Sequence, residues 1–87
     1  MEVEHKNALF ITAEEKSFKN GKGDTIEYMT FSILGDKDEY IKGTVAKDIQ
    51  QDVLELTPRS DISCVLQITE EEGKNGVYLK KRLIDVS

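Results

Sequence analysis

The feature that most constrains the fold is an alternation of side chains with a period of two across residues 25–46. It runs through Thr25–Leu34, stops at the polar segment Gly35–Glu39, and resumes in Tyr40–Ala46. Because successive side chains of a strand point to opposite faces, this pattern predicts two strands joined by a turn. The apolar side of these two strands consists of Met29, Phe31, Ile33, Ile41 and Val45.

The opposite side of the same two strands carries aromatic and hydrogen-bonding groups. These are Tyr28, Thr30, Ser32, Tyr40, Lys42 and Thr44. Polar residues that alternate with apolar ones are typical of any sheet with one solvated face, so the pattern alone does not separate a binding surface from plain exposure. We treat this face as the first candidate for a functional surface.

The first third of the chain predicts one further strand. Met1–Lys6 is polar, and we expect it to be frayed or loosely paired. Asn7–Lys19 alternates and is rich in Ile, Phe and Thr, which favours a strand. The glycine-containing segment Lys19–Asp24 is expected to be a loop.

The second half of the chain predicts a short helix and two strands. Asp48–Leu56 has apolar residues spaced by four and three, with Asp48 as a possible N-cap and Pro58 after its end. Ile62–Glu70 and Val77–Val86 alternate with a period of two around a turn built on Asn75-Gly76. A switch of polarity within the last strand indicates a bulge.

These elements predict one all-β domain over residues 1–87 with a single short helix. The order is three strands, the helix and two strands. A small sheet of this kind must cover or close its edges, and a five-stranded, partly open barrel with a helix between strands three and four does so. This is the order of an OB-fold.

Composition excludes several classes of protein. The net charge is −5, with the acidic excess spread along the chain, which is the wrong sign for generic affinity to duplex DNA. The one cysteine, Cys64, has apolar neighbours, which predicts a buried inert thiol in a reducing compartment. No apolar run approaches the ~20 residues of a membrane span, so we expect a cytoplasmic protein.

The sequence offers little for catalysis. His5 is the only histidine and stands in the segment expected to be frayed, so no histidine–carboxylate or nucleophile–base pair is indicated. Asp36–Glu39 lacks the length and the glycine of a calcium loop. We therefore expect a protein that is not an enzyme and has no metal or cofactor.

The chain resembles the small OB-fold single-stranded DNA-binding proteins, of the kind carried by bacteriophages and mobile elements. The likeness rests on Asn7–Ile11, on Thr25–Leu34 after a glycine loop, and on Ile49–Ile62 leading into Cys64–Leu66. It is a likeness of order and periodicity across nearly the whole chain. It implies a role in DNA replication or recombination and protein partners in that process. Because one small barrel offers few contacts to a strand, we also expect a homodimer or higher homo-oligomer.

The resemblance also implies where a single strand would bind. Such folds bind it across strands two and three, with bases stacked on aromatic rings and lysines along the backbone. The implied nucleic-acid-binding residues are Lys16, Phe18, Lys19, Lys22, Tyr28, Thr30, Tyr40, Lys42, Tyr78 and Lys80. The residues do not distinguish DNA from RNA as the ligand.

Other interpretations of these residues stand beside this one. Tyr28 and Tyr40 could form a cross-strand aromatic pair that only stabilises the sheet. Lys19 and Lys22 could be ordinary solvated charges. The acidic run Glu70–Glu72 would repel phosphate from one rim, and with the charge of −5 it supports a rival hypothesis, an acidic OB-like module that docks on a host or replication protein.

Overall fold

Five strands and one short helical segment account for most of the chain. The structure, a computed structural model, describes residues 1–87. The strands are β1 (Glu2–Lys19), β2 (Thr25–Leu34), β3 (Tyr40–Val45), β4 (Asp61–Gly73) and β5 (Gly76–Val86). Between β3 and β4, a 3₁₀ turn over Lys47–Ile49 continues into a short helix, α1 (Gln50–Leu54).

The strands close into a barrel in the order β1-β2-β3-β5-β4, with β4 returning to β1. All pairs are antiparallel except β3 with β5, which is parallel and joined only through Thr44 opposite Arg82 and Val45 opposite Leu83. A closed barrel of five strands with one short helix between β3 and β4 is an OB-like fold. The predicted fold class is therefore confirmed.

The interior of the barrel contains the side chains that the alternation predicts. All five residues of the apolar side of β2 and β3 are buried, namely Met29, Phe31, Ile33, Ile41 and Val45. Phe10, Ile62, Leu66 and Leu83 of the other strands join them, and Ile49 and Val53 contribute the buried side of the helical segment. The helix therefore covers part of the apolar core.

The N-terminal segment is ordered, contrary to the expectation that it is frayed. Glu2–His5 pairs with Gln67–Cys64 of β4, and the backbone of Met1 exchanges two hydrogen bonds with Ile68. The sequence is polar here because most of these side chains face solvent. The backbone groups still find partners on β4, which lengthens β1 to 18 residues.

The helical segment is shorter than predicted. It begins in a 3₁₀ turn rather than at Asp48, which lies inside that turn, and neither cap makes a side-chain hydrogen bond. The prediction of Asp48 as an N-cap is wrong. Ala46 precedes the turn, and it hydrogen-bonds through its backbone to Leu83 instead.

The hairpin of β4 and β5 extends beyond the predicted strand ends. The turn consists of Lys74 and Asn75 between the paired residues Gly73 and Gly76, so Asn75-Gly76 is not its centre. Gly76 has a φ of +113°, which only glycine adopts without strain. The bulge predicted in the last strand is confirmed. Leu83 lies opposite Leu66 and Asp85 lies opposite Val65, so Ile84 is an extra residue on β5 between two consecutive positions of β4.

Cys64 lies inside the barrel as a free thiol, 2% exposed. Burial, together with the smaller effect of the negative charge of Asp36, raises its pKa to about 11. No helix of the structure combines the length and the apolar character needed to cross a membrane.

Candidate nucleic-acid interface

The outward side chains of β1, β2 and β3 form successive rows across the barrel surface. The register places Lys16 opposite Tyr28, Glu14 opposite Thr30 and then Thr44, and Thr12 opposite Ser32 and then Lys42. Neighbouring rows are two residues apart along each strand, which is about 7 Å. The candidate functional surface of β2 and β3 therefore continues onto β1.

A groove of about 520 Å³ crosses this face and is bounded on its far side by residues 79–81 of β5. β5 pairs with β3 only from Arg82 onward, so no ladder joins residues 79–81 to β3, and the groove lies along this unpaired part of the boundary between the two strands. The floor of the groove carries hydroxyl groups. They belong to Thr12, Thr30, Ser32, Tyr40 and Thr44.

The groove gathers positive charge on an acidic protein. Four lysines line it, and the only carboxylate among its lining residues is that of Glu14. The lysines are Lys16, Lys42, Lys80 and Lys81. Because the whole chain carries −5, the remaining surface is more acidic than the net charge alone suggests, and the groove is the place where an anion is attracted.

Glu14 offsets part of this charge. Its Oε2 lies 3.8 Å from Nζ of Lys16, and both side chains are largely exposed. A pair of this length and exposure contributes little free energy, so Lys16 is still able to interact with another anion.

The aromatic residues lie at the two ends of this face. Tyr40 is 60% exposed at one end of the groove, and its hydroxyl donates a hydrogen bond of 3.2 Å to Oγ of Ser32. Tyr28 lies beyond Lys16 at the other end and contacts Phe18, with ring centroids 5.8 Å apart and an angle of 68°. Both ends therefore offer an aromatic surface on which a base can stack.

Tyr28 and Tyr40 do not form the aromatic pair considered as an alternative. Tyr40 is opposite Leu34, which is six residues from Tyr28 along β2, or about 20 Å at ~3.4 Å per residue. The aromatic partner of Tyr28 is Phe18, which is two residues from Lys16 on β1. The two tyrosines are therefore separate positions on this face.

Half of the predicted binding residues line the groove. They are Lys16, Thr30, Tyr40, Lys42 and Lys80. Phe18 and Tyr28 extend the same face. Lys19 and Lys22 do not join them, because they lie at the end of β1 and in the loop that follows it. Tyr78 lies opposite Glu71 near the β4–β5 turn and is not part of the groove.

Sequence reasoning left out several lining residues, Lys81 among them. Alternation predicts that Lys80 and Lys81 face opposite sides and cannot act together, yet both line the groove. They do so because the edge of β5, rather than one of its faces, borders the groove. The acidic run Glu70–Glu72 is not among the lining residues, so the predicted repulsion at this rim is not found in the groove itself.

His5 anchors the loop that leads into Tyr40. It is buried, and its Nδ1 accepts a hydrogen bond of 3.3 Å from the backbone N–H of Asp36. The same nitrogen lies 3.8 Å from Oδ1 of Asp36 and 3.6 Å from Oε1 of Glu39. The sequence indicates no histidine–carboxylate pair, but the structure places Asp36 and Glu39 beside His5. The two carboxylates belong to the β2–β3 loop, and β1 carries His5 to the same end of the barrel.

A second concavity, of about 670 Å³, lies between the β1–β2 hairpin and the helical segment. It is larger, but its charges are balanced: Glu15 and Glu27 offset Lys16 and Lys47. It offers an anionic strand no net attraction. The smaller groove is therefore the better candidate for a nucleic-acid interface.

No protein-family model matches the sequence, and comparisons with curated proteins and with solved structures found no match. The fold class is defined by the barrel itself.

Proposed function

We propose that this protein binds single-stranded DNA along the groove on the outer face of β1, β2 and β3. The observation that carries the proposal is the concentration of four lysines in one groove of a chain whose net charge is −5. Lysines on a concave surface bind phosphates electrostatically, with little dependence on sequence.

The arrangement of the groove suits a single strand better than a duplex. Hydroxyl groups lie among its lysines, Tyr40 is exposed at one end, and Phe18 is exposed on the same face beyond the other end. Unpaired bases can stack on such rings, at about 1–3 kcal/mol per base, whereas paired bases inside a duplex cannot. The acidic remainder of the surface repels the second strand of a duplex.

The proposal includes a cytoplasmic location and no catalytic step. The unpaired buried thiol of Cys64 is compatible with a reducing compartment. The groove lacks a histidine or cysteine among its lining residues, so it contains no obvious nucleophile–base pair.

The test is a titration of fluorescently labelled oligo-dT, followed by anisotropy at low salt. The unmodified protein should bind at micromolar concentration or below. The double variant Lys16→Ala/Lys42→Ala should bind at least about tenfold more weakly, because two phosphate contacts are lost.

The matched control is Lys19→Ala/Lys22→Ala, which removes the same charge from the same half of the chain but outside the groove. We expect it to bind within about twofold of the unmodified protein, since exposed charges outside a contact surface act only through screened, long-range forces. Absence of binding by the unmodified protein at low salt, or equal losses in both double variants, would contradict the proposal.

A further inference from the structure

Glu14 occupies a special position in the groove. It is the only carboxylate among lining residues that include four lysines. The register places it at one end of a row that continues through Thr30 and Thr44. A groove that served only to attract phosphate would have no use for this carboxylate, because it weakens the attraction.

The neighbouring rows contain the lysines. Lys16 is two residues from Glu14 along β1, and Lys42 is two residues from Thr44 along β3. Each is therefore about 7 Å from the central row, on opposite sides of it. If Lys16 and Lys42 bind phosphates of the same strand, the nucleotides between those phosphates pass over Glu14, Thr30 and Thr44.

The carboxylate of Glu14 is free to bind a base. Its Oε2 is 3.8 Å from Lys16 Nζ, which is beyond hydrogen-bond distance, and the side chain is 61% exposed. An ionised carboxylate only accepts hydrogen bonds. It can accept one from an exocyclic amino group, such as that of cytosine or adenine, whereas thymine has no amino group and presents a carbonyl oxygen instead.

We propose that Glu14 discriminates between bases by accepting a hydrogen bond from the amino group of one cytosine or adenine of the bound strand. This inference rests on the proposed function and sharpens it, because it adds a preference at one position to binding that is otherwise independent of sequence. The hydroxyl groups of Thr30 and Thr44 lie in the same row and provide donors and acceptors for the rest of that base edge.

The experiment compares oligo-dC, oligo-dA and oligo-dT of equal length by competition against one labelled strand. The unmodified protein should bind dC and dA about tenfold more tightly than dT, which is the low end of what one hydrogen bond with a charged acceptor contributes. Glu14→Gln keeps the size of the side chain and adds an amide donor. This variant should raise the affinity for dT most, so the ratio of the affinities for dC and dA to the affinity for dT should fall close to one.

Glu15→Gln is the matched control. It removes the same charge from the next residue, whose side chain lines the other concavity. It should change all three affinities equally and leave their ratio unaltered. Circular dichroism of both variants confirms that the barrel is intact.

Three results overturn the inference. Equal affinities of the unmodified protein for dC, dA and dT mean that no base is discriminated. Equal gains for all three strands in Glu14→Gln mean that Glu14 acts only as a counter-ion of Lys16. Absence of binding to every strand overturns the proposed function as well, so the two failures are distinguishable.

Discussion

At the scale of single residues, Cys64 shows how the barrel interior controls chemistry. Its thiol is surrounded by the apolar core, and the thiolate would lose its hydration there, so burial is the main reason that the pKa is raised to about 11. The carboxylate of Asp36 adds repulsion of the same sign. The thiol is therefore protonated throughout the physiological range and a poor nucleophile.

This raised pKa predicts a loss of stability in alkaline solution. The unfolded chain releases the thiol proton near pH 9.0, its ordinary value, while the folded chain retains it to about 11. Between these values the folded state binds more protons, so its stability falls as pH rises, by roughly 1.4 kcal/mol per pH unit from this group. The measurement is urea unfolding at pH 8, 9, 10 and 11, compared with Cys64→Ala.

The alanine variant is less stable at neutral pH because it leaves a cavity, but it lacks the titrating thiol. The difference in stability between the two proteins should therefore shrink as pH rises from 9 to 11. A constant difference over that interval would show that the thiol does not contribute.

The contacts of His5 could not be predicted from the sequence. Nothing near it in the chain suggests a partner, because Asp36 and Glu39 follow about thirty residues later. Their proximity arises only when β1 pairs with β4 and the β2–β3 loop closes over the barrel end. Contacts of this kind depend on topology, which local alternation does not encode.

At the scale of elements, alternation predicted β2 correctly to the residue, because it is regular along its whole length. The strand β1 was harder to predict, because its pairing with neighbouring strands contains two register shifts. One register shift lies between His5 and Ala8 against β4, and another lies between Phe10 and Thr12 against β2. Bulges change which parity faces inward, so Phe10 and Ala13 both pack against the core although they are three residues apart.

The same reasoning explains which part of the candidate site could be predicted. Tyr40, Lys42 and Thr30 lie on regular strands, so their common face follows from the period of two. The position of Lys81 in the lining of the groove does not follow from this period, because it depends on where the pairing of β5 with β3 ends. The end of this pairing is a property of barrel closure rather than of either strand.

Gly43 controls this closure. A Cβ at this position would meet the backbone carbonyl oxygen of Lys81 and lie 3.1 Å from Cε1 of Phe31. Neither can move easily, because one belongs to the backbone of β5 and the other is a buried ring. We expect Gly43→Ala to lower the free energy of unfolding by about 2 kcal/mol, since the added methyl must push β3 and β5 apart.

Gly21→Ala is the control for this prediction, because an added Cβ at Gly21 has nothing within 4 Å. It should leave stability unchanged or raise it by up to about 1 kcal/mol through the lower entropy of the unfolded chain. Chemical unfolding followed by far-ultraviolet circular dichroism measures both variants. Similar stabilities would mean that the β3–β5 contact is looser than the structure indicates.

At the scale of the whole molecule, the separation of charge is the main property. A net charge of −5 keeps the protein from binding polyanions indiscriminately, while one groove carries four lysines and a single carboxylate. Any binding of single strands should therefore be confined to this groove and weakened strongly by salt.

The expected salt dependence follows from the number of lysines. If all four neutralise phosphates, the plot of log K against log salt concentration for a single strand has a slope of about −2.8, at roughly −0.7 per contact. Anisotropy titrations between low and moderate salt measure the slope. A slope near zero would show that stacking on Tyr28 and Tyr40 dominates, and a much steeper one would require lysines outside the groove.

The buried thiol also determines how this protein can be labelled for fluorescence measurements. The chain contains no tryptophan, so intrinsic fluorescence is limited to three tyrosines. Because Cys64 is inaccessible and protonated, a cysteine introduced at Gly21 would be the only one to react with a maleimide dye at neutral pH. One substitution in an open loop therefore yields a singly labelled protein that retains its native cysteine, with the dye at the tip of the hairpin whose outer face leads into the groove.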